Sequence, residues 1–126
     1  MDSTSLPVTA RELGDYGERL AQRYLREQGM AVLDRHWRHG RLGELDLVAR
    51  DGACLVAVEV KTRRAHGYGT PVEGVTARKL ARLRRLAAAW AQEHDESGCL
   101  DLRIDVVGVL RPPTGPCVIE HLRGVA

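Results

Sequence analysis

Asp46 is followed, after twelve residues, by Glu59-Val60-Lys61. Two carboxylates near an ammonium suit the hydrolysis of a phosphodiester with a hard divalent cation. Oxygen ligands favour Mg²⁺ or Mn²⁺, which bind through one or two carboxylates, a carbonyl and waters and leave positions for phosphate. Without the cation, two carboxylates about 4 Å apart repel by about 1 kcal/mol in water and about 4 kcal/mol at an effective dielectric of 20. The Val60 carbonyl, between Glu59 and Lys61, is a further candidate ligand. Lys61 extends a metal site to a hydrolytic one: a lysine can position the attacking water as the ammonium or, as the neutral amine, take its proton, and an arginine cannot do the latter. The chain holds 17 Arg and only two Lys, Lys61 and Lys79, so a lysine retained here favours that chemistry.

The element expected to carry these residues is a β-hairpin. Residues 42–49 and 54–60 are rich in Val and Leu, and Asp51-Gly52 is a tight-turn signal. With Asp51 and Gly52 as the turn residues, Arg50 pairs with Ala53. Counting outward sets Asp46 opposite Ala57, Glu44 opposite Glu59 and Leu42 opposite Lys61. Opposed residues share a face, so Glu44, Asp46, Glu59 and Lys61 project from one side. Asp46 and Glu59 become diagonal neighbours with Cα atoms about 7–8 Å apart, and Glu44 joins as a possible metal ligand. The alternative is a solvated hairpin face with ordinary salt bridges. Leu42, Val48, Leu55 and Ala57 share that face, and charges on a half-aliphatic face more often line a cleft.

Around the hairpin, Thr9-Ala10-Arg11-Glu12 has the form of a capping box, and Leu13, Gly17, Leu20 and Tyr24 follow at helical spacing up to Gly29. Residues 30–33 read as a short strand. The basic run 35–41 reads as a loop or a continuation of that strand. After a loop containing Gly67, Gly69, Pro71 and Gly74, Thr76 caps a second helix running to about His94 and burying Leu80, Leu83, Leu86, Ala87 and Trp90, with Glu96-Ser97-Gly98 ending it. Residues 102–109 and 118–122 complete the pattern as strands. The expected order is α-β-β-β-α-β-β, a single α/β domain over residues 1–126 with 1–8 as a flexible tail.

Together, Gly17-Glu18-x-x-Ala21-x-x-Tyr24-Leu25, Gly43-Glu44-Leu45-Asp46-Leu47-Val48-Ala49, Glu59-Val60-Lys61-Thr62-Arg63, Gly69-Thr70-Pro71 and Arg103-Ile104-Asp105-Val106-Val107 resemble the YraN family of bacterial proteins over residues 11–123. The Asp46 and Glu59-x-Lys61 spacing resembles the PD-(D/E)xK signature of restriction-endonuclease-like nucleases, and the family is similar to archaeal Holliday-junction resolvases. The resemblance implies a three-layer fold, a central mixed sheet flanked by helices, with Asp46, Glu59 and Lys61 as the core site. It also implies that Glu18, on the first helix, approaches the metal. His36 stands where the family pattern suggests Asn.

The net charge of +2 hides an uneven distribution. Residues 61–85 carry eight basic side chains against the single acid Glu73, whereas 93–105 is mostly acidic. Arg78, Arg82 and Arg85 fall at i, i+4, i+7 with Lys79 beside them, and with Arg63 and Arg64 they form a candidate surface for DNA phosphates. Aromatic residues are 4% of the chain and Phe is absent. No base-stacking platform is expected, and recognition by backbone or shape is. Cys54, Cys99 and Cys117 lack the spacing of a disulfide framework or zinc site. No membrane span or signal peptide is legible, so a cytoplasmic protein is expected. The expected function is a Mg²⁺- or Mn²⁺-dependent DNA endonuclease, selective for branched or single-stranded DNA and a candidate homodimer. The alternative is a nucleic-acid-binding accessory protein on the same scaffold.

Overall fold

The computed structural model describes residues 9–64, 74–96 and 101–125. The expected tail 1–8, most of the glycine-rich loop, Ser97-Gly98 and Cys99 lie outside the described residues. Helix α1 spans Ala10–Glu27. Thr9 caps it by accepting the Glu12 N–H at 3.1 Å and donating its hydroxyl to the Glu12 carboxylate at 2.9 Å. At the other end Gly29 adopts φ +89°, while the Met30 and Gly29 N–H groups return to the Leu25 and Arg26 carbonyls. These bonds satisfy carbonyls the helix leaves open.

Strands β1 (Ala31–His39), β2 (Gly43–Asp51), β3 (Cys54–Arg64), β4 (Asp101–Arg111) and β5 (Val118–Leu122) form one sheet in sequence order. All neighbours are antiparallel except β3 and β4, which run parallel across helix α2 (Ala77–Glu93). A parallel pair needs such a crossover. The basic run 35–41 continues β1 to His39 and then forms a 3-10 turn at Gly40–Leu42.

Helix α2 is capped by Thr76, whose side chain accepts the Lys79 N–H at 3.1 Å. It ends at Glu93, five residues before Gly98, because Asp95 takes the left-handed position at φ +58° and the Glu96 N–H returns to the Ala91 carbonyl at 2.7 Å. Leu83, Leu86, Ala87 and Trp90 bury onto Val48, Leu55, Ala57 and Ile104. On the opposite face Ala21 and Leu25 of α1 pack with Leu47, Ala49, Val56, Val58, Val107 and Val109. The result is a mixed α/β architecture, one five-stranded sheet between two helices. No described helix is long and apolar enough to cross a membrane.

The hairpin register differs from the expected one. Asp51 pairs with Cys54, so Gly52 (φ +59°) and Ala53 make the turn, and Val48 rather than Asp46 faces Ala57. The shift is two residues, an even number, so the paired residues Leu47–Asp51 keep their faces. Alternation breaks at Asp46, however: Leu45 packs toward α2 and Leu47 toward α1, and Glu44 lies beside His36 rather than on the face of Glu59. The consequence of the shift is to set Asp46 level with Glu59 instead of diagonal to it, and Glu44 no longer opposes Glu59.

A buried network ties β4 to the chain end. Fully buried Asp105 accepts from Arg103 Nε at 2.8 Å, Arg103 NH2 at 3.0 Å and the Gly124 N–H at 3.0 Å, and contacts His121 Nε2 at 2.8 Å. His121 Nδ1 lies 3.1 Å from the Tyr24 hydroxyl on α1.

Candidate active site

The ladder between β2 and β3 runs only from Asp51↔Cys54 to Leu47↔Val58. Beyond it β2 remains with β1 as far as Gly43, and β3 remains with β4 as far as Arg64. The sheet therefore forks at Asp46. There the Asp46 carboxylate accepts the Val60 N–H at 2.9 Å, satisfying a donor that the parting strand leaves open. Two backbone choices mark the fork: His36, level with Asp46 on β1, has φ +51°, and Gly43 has φ +127°, a conformation an L side chain rarely adopts.

Asp46 and Glu59 lie side by side. Burial, the adjacent Glu59 charge and Glu18 push the Asp46 carboxyl up to about 7, against the opposing pull of the Val60 N–H. A half-buried carboxyl raised in this way beside a second carboxylate favours a positive charge nearby. Glu59 is buried and pairs with the ammonium of Lys79 on α2. Lys61 is half-buried, and its ammonium lies 3.5 Å from the position a Cβ would take on Gly74 at the approach to α2. Both lysines of the chain thus lie about this cleft. The expected phosphate ridge is reduced accordingly, since Lys79 serves Glu59 while Arg78, Arg82 and Arg85 remain exposed along α2. Arg63 and Arg64 follow Lys61 at the end of β3.

Glu18 reaches the fork from α1. The helix can approach because Gly17 is buried against β3: a Cβ there would fall 1.9 Å from Thr62 Oγ1. Glu18 Oε2 lies 3.0 Å from His36 Nε2, a short contact not aligned as a hydrogen bond, so the buried oxygen has no hydrogen-bond partner. Burial raises the Glu18 carboxyl above its usual range, with His36 opposing and Asp15 and Glu44 adding. A cleft of 270 Å³ opens beside it, lined by Asp15, Glu18, Arg19, Gln22, Arg35 and His36. Glu44 is exposed, 3.8 Å from His36 Nδ1. It stands outside the Asp46–Glu59 pair. Among the described residues no three Asp, Glu, His or Cys side chains converge as a ready-made metal cluster. The donors that fit a cation are the Asp46–Glu59 pair with a backbone carbonyl, and Lys79 supplies the positive charge beside Glu59.

Sequence spacing missed Lys79, which stood among the surface cations, and it missed an aromatic assembly. Trp37 and His39 stack at 5.0 Å, Trp90 and His94 stack at 4.0 Å, and Trp37 meets His94 edge-on at 6.5 Å. Trp90 donates its indole N–H to Asp34 at 2.8 Å. Only the alternation of Trp37 and His39 along β1 hinted at a shared face.

The fold and the site define a mixed α/β protein whose five-stranded sheet forks beside the half-buried Asp46 and the buried Glu59, with two lysines about them. Residues 17–109 match the model of the uncharacterised protein family UPF0102, and the chain belongs to that family. It is 50% identical to a UPF0102 protein of Nocardioides sp., covering 99% of each chain. It is 58% identical to one of Beutenbergia cavernae, over 90% of this chain and 94% of the relative. A Streptomyces coelicolor relative is 54% identical over 90% of this chain and 88% of its own.

Proposed function

We propose that this protein is a divalent-metal-dependent endonuclease acting on DNA, with a restriction-endonuclease-like fold and a PD-(D/E)xK centre. The observation carrying this reading is the Asp46 carboxylate, bonded to the Val60 N–H and set beside buried Glu59 where the sheet forks. Asp46, Glu59 and the Val60 carbonyl would hold Mg²⁺ or Mn²⁺, which supplies Lewis acidity toward the phosphate oxygens and lowers the pKa of bound water. Glu18 extends the negative surface of the cleft from α1. Lys61 orients the attacking water as the ammonium or, as the neutral amine, takes its proton. Arg63, Arg64, Arg78, Arg82 and Arg85 hold backbone phosphates, giving salt-sensitive binding.

The test is incubation of pure protein with branched, single-stranded and duplex DNA in Mg²⁺ or Mn²⁺. Cleavage lost in Asp46→Asn and Lys61→Ala supports the assignment, and cleavage that persists unchanged in either sinks it. One observation favours a second reading. The Lys79–Glu59 pair already neutralises one carboxylate, as expected of a nucleic-acid-binding accessory protein that needs no metal. Salt-sensitive DNA binding with no metal uptake would select it.

A further inference from the structure

The aromatic residues of the chain are few, yet two Trp and two His gather on one side of the fork. The column runs from buried Trp90 through His94 and Trp37 to His39. Its inner end is fixed: Trp90 is anchored by Asp34, and the His94 ring nitrogen lies 2.8 Å from the Trp90 carbonyl. Its outer end is open. His39 keeps 45% of its side chain exposed while one ring face lies on Trp37.

The surroundings are cationic. Residues 38–41 contain the exposed Arg38 and Arg41 and no acid, whereas Arg35 turns to α1 and donates to Gln22 at 3.1 Å. Arg82 of α2 passes over Gly43, its Cδ 3.7 Å from the position of a Cβ there, and Gly43 is the strand partner of His39. The nearby carboxylates are engaged, Glu93 with His39 at 3.1 Å and Glu44 near His36. Along β1, His39 is three residues beyond His36, about 10 Å at strand rise and close to three base steps of about 3.4 Å.

We propose that His39 and Trp37 form a stacking platform for an unpaired nucleobase, so that the chain engages DNA with a single-stranded or splayed segment adjoining the fork of the sheet at Asp46. A base has an apolar face that stacks on an exposed ring whatever its sequence, while flanking arginines hold its phosphates. The preceding reading supplies only the place of the scissile phosphate. Binding at the column does not require it.

Trp37 and Trp90 are the only tryptophans, so intrinsic fluorescence reports on the column directly. The full chain in EDTA at low salt is titrated with a thymidine oligonucleotide and with a blunt duplex of equal length. The single strand should quench tryptophan emission, and the duplex should quench it much less. Trp37→Leu and His39→Ala should weaken single-strand binding on the order of tenfold and duplex binding by less than about twofold. His39→Ala removes an exposed ring, and an unchanged melting temperature guards against misfolding. Absence of single-strand binding, binding without quenching, or equal weakening toward both DNAs would overturn the proposal. So would a wild-type dimer that Trp37→Leu dissociates, since the column would then be an interface between copies. Because no metal is present, a failed cleavage assay leaves this result standing.

Discussion

The Asp46 carboxylate accepts the Val60 N–H at 2.9 Å at the point where β2 and β3 part, so the residue that opens the fork also faces the carboxylate carried by its other arm. An acid held there at about 7 makes the metal-free protein sensitive to pH.

The folded-state pKa of Asp46 lies above its unfolded value. Its contribution to stability is therefore fully present below about pH 4, falls as pH rises, and is lost beyond about pH 7. In EDTA the wild type should lose stability between about pH 4 and 7, by at most about 4 kcal/mol from this group. Asp46→Asn should flatten that part of the profile, as thermal melts across the range would reveal.

Lys61→Ala should reduce DNA cleavage by about 10²- to 10⁴-fold while leaving Mn²⁺ affinity within a few-fold. Lys61→Arg should not restore the rate, because a guanidinium does not give up its proton. Full rescue by arginine would assign Lys61 to phosphate neutralisation alone.

Lys79→Met should act in opposite directions with and without metal. Without metal, Glu59 is left buried and unpaired, and a loss of about 3 kcal/mol is expected in denaturant titrations. With Mn²⁺ the competing ammonium is gone, so affinity should tighten several-fold in calorimetry.

Gly17→Ala should cost about 1–3 kcal/mol, because a Cβ cannot share space with the Thr62 hydroxyl and α1 must move. Since Glu18 rides on that helix, cleavage should fall with it. Adding Thr62→Ala should recover part of both losses.

Asp105 offers a control remote from chemistry. Burial alone would raise its carboxyl, but bonds from Arg103, Gly124 and His121 outweigh it and hold the group below the usual range. The stability it contributes is present above the unfolded carboxylate pKa and is lost as acid carries pH down through the folded value. Asp105→Ala should lower stability by about 3–5 kcal/mol, leaving Arg103 and His121 without their carboxylate.

Much of this was legible locally. Thr9 and Thr76 cap their helices as expected and β5 spans the expected residues, whereas the single face expected for Glu44, Asp46, Glu59 and Lys61 is interrupted at Asp46, where Leu45 and Leu47 turn to opposite sides of the sheet. The turn was ambiguous by one position, because Asp51-Gly52 and Gly52-Ala53 both place a glycine in a hairpin loop. The error preserved the faces of the paired residues and hid the position of Asp46 level with Glu59, just beyond the last pair, Leu47 with Val58. The Lys79–Glu59 pair crosses from helix to strand, and the Trp90–Asp34 bond joins residues 56 apart in sequence. Neither leaves a periodic trace. The fork itself is an ending of hydrogen bonds, for which no residue type codes.

The most direct test of the cation site is calorimetric titration of the metal-free protein with Mn²⁺ at pH 8. Wild type should bind the ion with heat that is lost in Asp46→Asn and Glu59→Gln and retained in Lys61→Ala. Equal Mn²⁺ uptake by wild type and Asp46→Asn, or no uptake by wild type, would contradict the account.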